Sequence, residues 1–335
     1  MHAPARFSAV VAVLASCLLS SFSARAVVPV IKIDGSSTVF PITEAVSEEF
    51  QIAQKGAVRV TVGISGTGGG FKKFCRGEID VQNASRPILK EELEACRKSG
   101  IKFIELPIGY DATVVVVSTK NTFLQSISVE ELKKLWEPAA QAKILKWNQV
   151  NAKWPAEPIK LFGAGADSGT FDYFTEAIMG KAKSSRGDYT ASEDDNTLVT
   201  GISNDKNALG YLPLAYFEES KSKLKALAIV TAKNKQGVLP SKQTVENGQY
   251  TPLSRPVFIY ISEKSLAKKE IIDFTNFYLQ SAAKIVPQAK YVPLPAKAYQ
   301  IGLQHLKNRK LGTVFEGHSE VGLKIEELLK KEGKL

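Results

Sequence analysis

Three short segments carry residue types suited to holding a small anion. They are Asp34-Gly35-Ser36-Ser37-Thr38-Val39-Phe40-Pro41, Ser65-Gly66-Thr67-Gly68-Gly69-Gly70-Phe71 and Gly165-Ala166-Asp167-Ser168-Gly169-Thr170-Phe171. Each follows a stretch with strand character, is rich in Gly, Ser and Thr, and leads into a stretch with helical spacing. Such a turn presents backbone N–H groups at a helix N-terminus beside hydroxyls that can donate. Its glycines let a ligand approach the backbone closely. Ordinary N-capping accounts for any one segment, because Ser and Thr are common caps. Three in one chain, each with more glycine or hydroxyl than a cap needs, point to an oxyanion held at the carboxyl ends of strands.

Other chemistries for the same residues lack parts. None of the three segments ends in the Lys-Ser or Lys-Thr of a phosphate-cradling P-loop. A dinucleotide fingerprint begins at Gly66-Thr67-Gly68, but Phe71 stands where its third glycine belongs. None of these serines sits in Gly-x-Ser-x-Gly. His305 and His318 lie near the C-terminus, so a base for a nucleophilic serine is poorly supplied. Three cysteines and three histidines in 335 residues favour no metal site, and no cofactor is expected. The 44 Lys+Arg against 34 Asp+Glu give a net charge of +10, which favours an anionic partner. The basic residues are dispersed and no nucleic-acid module is visible, so nucleic acid is not expected as that partner.

The elements that must position these turns alternate along the chain. With 44% hydrophobic and 23% charged residues, the length suits two domains or one large one. Strands are expected at 27–33, 58–64, 80–84, 112–118, 159–162, 208–212, 226–230 and 256–261. Helices are expected at 42–51, 70–76, 91–99, 129–136, 171–179 and 268–279. The four valines Val114 to Val117 suit a strand buried on both faces. This rhythm predicts an α/β fold with mostly parallel sheets. The charged stretch 324–335 predicts a solvated helix.

The first 26 residues read as a secretory leader: Arg6, an apolar run from Phe7 to Leu19, then Ala24-Arg25-Ala26 at the cleavage spacing. Cleavage after Ala26 is favoured over lipidation at Cys17, because Leu18-Leu19 continues the apolar run past that cysteine. The apolar run is shorter than the roughly 18–20 residues a membrane span needs. Export leaves Cys75 and Cys96 as an even pair, which in an oxidising compartment predicts a disulfide.

Taken together, the motifs resemble those of the phosphate-binding proteins, the extracytoplasmic components of phosphate ABC transporters. The resemblance is carried by Gly35 to Pro41, by Ser65 to Phe74, by Asp167-Ser168-Gly169-Thr170-Phe171, by Asn83-Ala84-Ser85-Arg86-Pro87 and by Ala208-Leu209-Gly210-Tyr211. It implies a fold like the type II periplasmic binding proteins, with two α/β lobes, a hinge and a ligand cleft between them. By position it implies phosphate ligands at Ser37, Thr38 and Val39, at Thr67 or, if the turn aligns differently, Ser65, at Ser85, and at Ser168, Gly169 and Thr170. In the enterobacterial pattern an aspartate stands where this chain has Ser85, and an arginine precedes the Ser-Gly-Thr where it has Gly163-Ala164-Gly165. The chain is more similar to a branch carrying Asn-Ala-Ser-Arg-Pro, in which Arg86 would supply the positive charge and Asp167 the proton acceptor. The bland alternatives are that Arg86 pairs with a nearby acid such as Glu91 and that Asp167 is only an N-cap.

The expectation is therefore a periplasmic, monomeric receptor that captures inorganic phosphate and delivers it to a permease in the inner membrane. Lobe 1 is expected at 27–111 with 255–335, and lobe 2 at 112–254. One alternative is a receptor for sulfate, molybdate or tungstate. The other is a secreted phosphatase using Ser37 or Ser168 as nucleophile.

Overall fold

The computed structural model describes residues 28–166, 168–192, 194–318, 320 and 322–334; the leader, Cys17 and Asp167 lie outside the described residues. Its strands are β1 (Val30–Gly35), β2 (Arg59–Val62), β3 (Val81–Ala84), β4 (Phe103–Ser118), β5 (Ser126–Ser128), β6 (Lys160–Ala164), β7 (Thr190–Ser192), β8 (Ala208–Pro213), β9 (Leu224–Ala226), β10 (Ala228–Val230) and β11 (Ser254–Ser262). Its α-helices are α1 (Phe40–Ala53), α2 (Gly66–Cys75), α3 (Lys90–Lys98), α4 (Val129–Trp136), α5 (Trp147–Val150), α6 (Gly169–Met179), α7 (Asp195–Asn204), α8 (Leu214–Ser220), α9 (Lys242–Glu246), α10 (Lys269–Gln288), α11 (Ala296–Asn308) and α12 (Ile325–Glu332). The main sheet runs β2-β1-β3-β11-β4-β8-β6-β7, with β9 also on β4, and β5 pairs with β10 apart from it.

Strand β4 belongs to both halves of this sheet. Residues Phe103 to Ala112 pair antiparallel with β11, and Thr113 to Val117 pair antiparallel with β8. Every residue of β4 is buried, so its valine run has no polar alternation. The chain returns beside the same point, where the Thr113 N–H donates to the Leu253 carbonyl at 2.8 Å just ahead of β11.

The sheet is mixed, not mostly parallel as the strand–helix rhythm predicts. Around the ligand-turn elements β1–β2, β1–β3, β6–β7 and β6–β8 are parallel. The two crossing strands are antiparallel to each other and to β3, β8 and β9, because the chain passes out and back through one crossing. Strand β4 also starts nine residues earlier than its valines predict. Pro107, Gly109 and Asp111 interrupt the apolar pattern there, and a register irregularity opposite Gly109 and Pro107, between Val257 and Phe258, absorbs the break. The stretch 226–230 divides into β9 and β10. Helix α10 continues to Gln288, well past Leu279. Helix α12 buries Ile325, Leu328 and Glu332, so one face of the charged tail docks where solvation was expected throughout.

The first half is packed by α1 against α10, with Phe50 edge-on to Phe274 at 5.3 Å. A disulfide between Cys75 and Cys96 joins the end of α2 to α3. In the second half, Phe174 of α6 stacks on Tyr211 of β8 at 3.9 Å, and Trp136 meets both rings edge-on. Among the described residues, no helix is long and apolar enough to cross a membrane.

Candidate functional site

Strand ends deliver the hydroxyl-bearing turns to one place. At the end of β1, Gly35 has φ +132°, and a Cβ there would lie 2.2 Å from the Asn83 carbonyl oxygen. Only glycine lets β1 pass β3 this closely and turn. The Ser36 N–H then donates to that carbonyl at 2.9 Å, and the Ser36 carbonyl accepts from the N–H groups of Val39 and Phe40 to open α1. Asp34 pins the turn by accepting from the Gly35 N–H, the Ser65 hydroxyl and the Lys73 ammonium at 2.7, 2.6 and 2.5 Å. Burial pushes its carboxyl up, but these three donors prevail and hold it below the usual range.

The second turn works with the end of β3. Thr67 Oγ1 accepts from the Ser85 N–H at 3.2 Å and lies 3.0 Å from Ser85 Oγ. Both residues are buried. The third turn opens α6, where Ser168 Oγ accepts from the Thr170 N–H at 3.1 Å as an N-cap. The Gly169 N–H donates to Ser37 Oγ at 3.5 Å.

The convergence is clearest at Gly169. A Cβ there would lie 2.6 Å from Thr38 Oγ1, 3.0 Å from Ser85 Oγ and 3.4 Å from Ser36 Oγ. Hydroxyls from the first turn and from the end of β3 therefore face the first residue of α6 across the boundary between the halves of the sheet. Ser36 Oγ is fully buried and has no hydrogen-bond partner among the described residues. A buried hydroxyl in that state marks a place where a ligand or water completes its bonding.

The structure brings Ser37, Thr38, Thr67, Ser85, Ser168, Gly169 and Thr170 together, but not all the expected ligands. Ser65 is exposed and donates to Asp34 instead. The Val39 side chain is fully buried and its N–H is turned back to Ser36. Arg86 is also committed elsewhere. Its Nη1 and Nη2 donate to Glu92 at 2.9 and 2.8 Å, and Nη1 reaches the Pro87 carbonyl at 3.1 Å. Burial opposes its charge, but Glu92 outweighs burial and holds the guanidinium above its ordinary pKa. The partner acid is Glu92, one position beyond Glu91, because Glu92 also closes the start of α3 by accepting from the Leu89 N–H.

Three residues at this place, Asp111, Tyr173 and Arg255, lie outside every motif of the sequence, and Ser36 lies within the first segment but not among its expected ligands. Arg255 Nη2 donates to Thr38 Oγ1 at 3.2 Å and to Asp111 Oδ2 at 3.1 Å. Asp111 and Arg255 are register partners on β4 and β11. A signal was available, since one acid and one arginine each interrupt an apolar strand, and buried opposite charges must find each other.

Known proteins share this architecture. The model of the PBP superfamily domain matches residues 20–282. Protein SphX of Synechococcus elongatus is 53% identical over 323 residues, covering 96% of this chain and 95% of that protein. The phosphate-binding protein PstS of Staphylococcus saprophyticus is 38% identical over 272 residues, covering 80% and 82%. The crystal structure of a possible phosphate binding protein from Planctomyces limnophilus aligns with a TM-score of 0.71 at 47% identity, over 84% of this chain and 99% of that one. The chain belongs to the PBP superfamily, among its two-lobed, PstS-like phosphate-binding proteins.

Proposed function

We propose that this protein is an extracytoplasmic receptor that captures inorganic phosphate between its lobes and delivers it to an ABC permease. The observation that carries this reading is the set of three hydroxyls, Ser36, Thr38 and Ser85, gathered around Gly169 at the start of α6. A tetrahedral oxyanion needs donors from several directions, and this arrangement supplies them as hydroxyls and helix N-termini. The Ser85 amide bonds to Thr67 Oγ1, which lets the Thr67 hydroxyl donate to Ser85 and the Ser85 hydroxyl donate onward. The N-terminus of α6 closes the cradle from the second lobe with its dipole, and because its Gly169 and Thr170 amides donate to Ser37 Oγ and Ser168 Oγ, the protons of those two hydroxyls are left for the anion.

The lobe boundaries in this reading fall at 111/112 and 254/255. The change of partner along β4, from β11 to β8 after Ala112, supports them. Capture then amounts to a hinge at the paired crossings that brings α6 onto the first turn. The relatives' names support phosphate as the anion. Export with a cleaved leader fits the same assignment, and the receptor acts as a monomer.

A hydrolase reading would need a base beside Ser37 or Ser168. Both of these hydroxyls accept from backbone amides of α6, and His305 lies 3.5 Å from Glu332 beneath the C-terminal helix. Calorimetric titration of phosphate-stripped protein, with sulfate, molybdate and tungstate as competitors, tests the proposal. Saturable phosphate binding that a large excess of sulfate does not displace is the expected result. Preference for another oxyanion, or phosphate release from a phosphoester, would overturn it.

A further inference from the structure

The Asp111–Arg255 pair lies at the crossing between the lobes and belongs to none of the three turns. Both side chains are buried, 2% and 4% exposed. Arg255 Nε and Nη2 lie 3.3 and 3.1 Å from Asp111 Oδ2, and Nη2 also reaches Thr38 Oγ1 at 3.2 Å. The guanidinium sits 4.6 Å from the centroid of the Tyr173 ring. Tyr173 belongs to α6, and its hydroxyl lies 2.6 Å from the carbonyl oxygens of Pro252 and Ser254, which flank the return crossing.

A threonine hydroxyl has one proton and two lone pairs, so it can turn either way toward a ligand. An arginine can only donate. Arg255 therefore occupies a lone pair of Thr38 Oγ1 and leaves the proton for a different partner. The Thr38 backbone is held too, because its carbonyl accepts from the Tyr291 hydroxyl at 2.7 Å. We infer that Arg255 is a positioning residue that locks Thr38 as a hydrogen-bond donor toward the Gly169 cradle, with Tyr173 linking that lock to the seating of α6. The inference rests on the cradle being the phosphate site. Its physical content is polarity, not net charge, since Asp111 neutralises Arg255 in place. A lock of this kind favours ligand oxygens that accept and disfavours a protonated oxygen at the Thr38 position.

The test is a mutant cycle read by phosphate calorimetry on stripped, folded protein. Arg255→Gln with Asp111→Asn removes both charges together and leaves no lone buried ion. That variant and Thr38→Val should each weaken phosphate by about tenfold or more. Combined, they should bind within about threefold of the weaker parent variant, because Arg255 acts through Thr38. Arg255→Lys provides a second cycle that keeps the Asp111 pair should the neutral version not fold. It should weaken binding in the parent and have no further effect beside Thr38→Val. Additive losses in either cycle, or charge-pair variants that bind like the parent, would overturn the inference while leaving phosphate binding intact. Absence of phosphate binding by the parent would overturn the functional reading itself.

Discussion

Gly169→Ala separates the cradle from the fold. Residue 169 is the first of α6 and does not require the left-handed backbone region, so alanine suits it locally and favours the helix by a few tenths to about 1 kcal/mol. The added methyl would lie 2.6 Å from Thr38 Oγ1 and 3.0 Å from Ser85 Oγ. Carbon–oxygen contacts normally close to about 3.3 Å. Thr38 cannot swing away easily, because Arg255 holds its hydroxyl and Tyr291 its carbonyl. The strain is relieved only if α6 backs off the first turn by roughly 0.7 Å, the difference between that normal contact and the gap at Thr38. A shift of that size stretches the hydrogen bonds from both sides of the cradle at once. Loss of two bonds to a charged ligand, each ~1.5–3 kcal/mol, lowers affinity by about 10²–10⁴-fold. The ligand-free melting temperature should meanwhile match or exceed the parent's. Calorimetric titration and thermal melting of stripped protein check both halves. An alanine variant that folds like the parent and binds phosphate within threefold would show that these hydroxyls merely pack against α6.

Arg86→Ala should change phosphate affinity less than about threefold but lower stability by about 1–3 kcal/mol, because it strands the half-buried Glu92; calorimetry and urea melts separate the two effects. A tenfold loss of affinity would return Arg86 to the ligand set. Burial raises the Glu105 carboxyl to about 7 and that of Glu332 to about 9. The folded protein therefore holds protons that the unfolded chain releases near the ordinary value of 4.5. Stability should fall as pH rises from about 4.5, through 7 for Glu105 and onward to 9 for Glu332, by up to about 1.4 kcal/mol per unit for each group. Urea midpoints across that range should show the decline, and Glu332→Gln should flatten its alkaline part; a profile rising with pH would refute the account. Reducing the Cys75–Cys96 disulfide, which closes a sequence separation of 21, should lower the unfolding free energy by about 3 kcal/mol, and identical melts with and without reductant would count against it.

The readable parts of this fold are the ones whose causes are local. The four valines of β4 announce a strand because both faces are covered, and helical spacing over 129–136 announces α4, whose first turn Ser128 and Glu131 then cap reciprocally. The earlier half of β4 is unreadable for the opposite reason. Pro107 and Gly109 are tolerated only beside the irregularity in β11, and Glu105 only because Tyr260 and the Val314 N–H donate to it. Helix α12 hides in the same way, since nothing in a run of lysines and glutamates states that Ile325 and Leu328 have a surface waiting.

The site divides along the same line. A strand, a glycine–hydroxyl turn and a helix form one local unit, so all three turns can be found in the sequence. Which hydroxyl of a turn faces the opposite lobe depends on packing, and Ser36 is buried in the cradle while its neighbour Ser37 meets the α6 amide. The pairing of charges is more remote still. Arg86 reads as a ligand until α3 brings Glu92 to it, and Arg255 finds Asp111 across 144 residues of chain. Once those pairs are drawn, three cations near the turns each have an acid partner among the described residues: Lys73 with Asp34, Arg86 with Glu92, Arg255 with Asp111. On the proposed reading, an anion in this cradle is held by hydroxyls and helix N-termini, whose short-range bonds are little screened once water is excluded. Raising ionic strength should therefore slow association with this basic chain while changing the phosphate dissociation constant less than about threefold. Stopped-flow rates and calorimetry across a salt series measure the two quantities. A dissociation constant that weakens tenfold with salt would mean that an unpaired cation carries the binding and that one of these pairs opens when phosphate arrives.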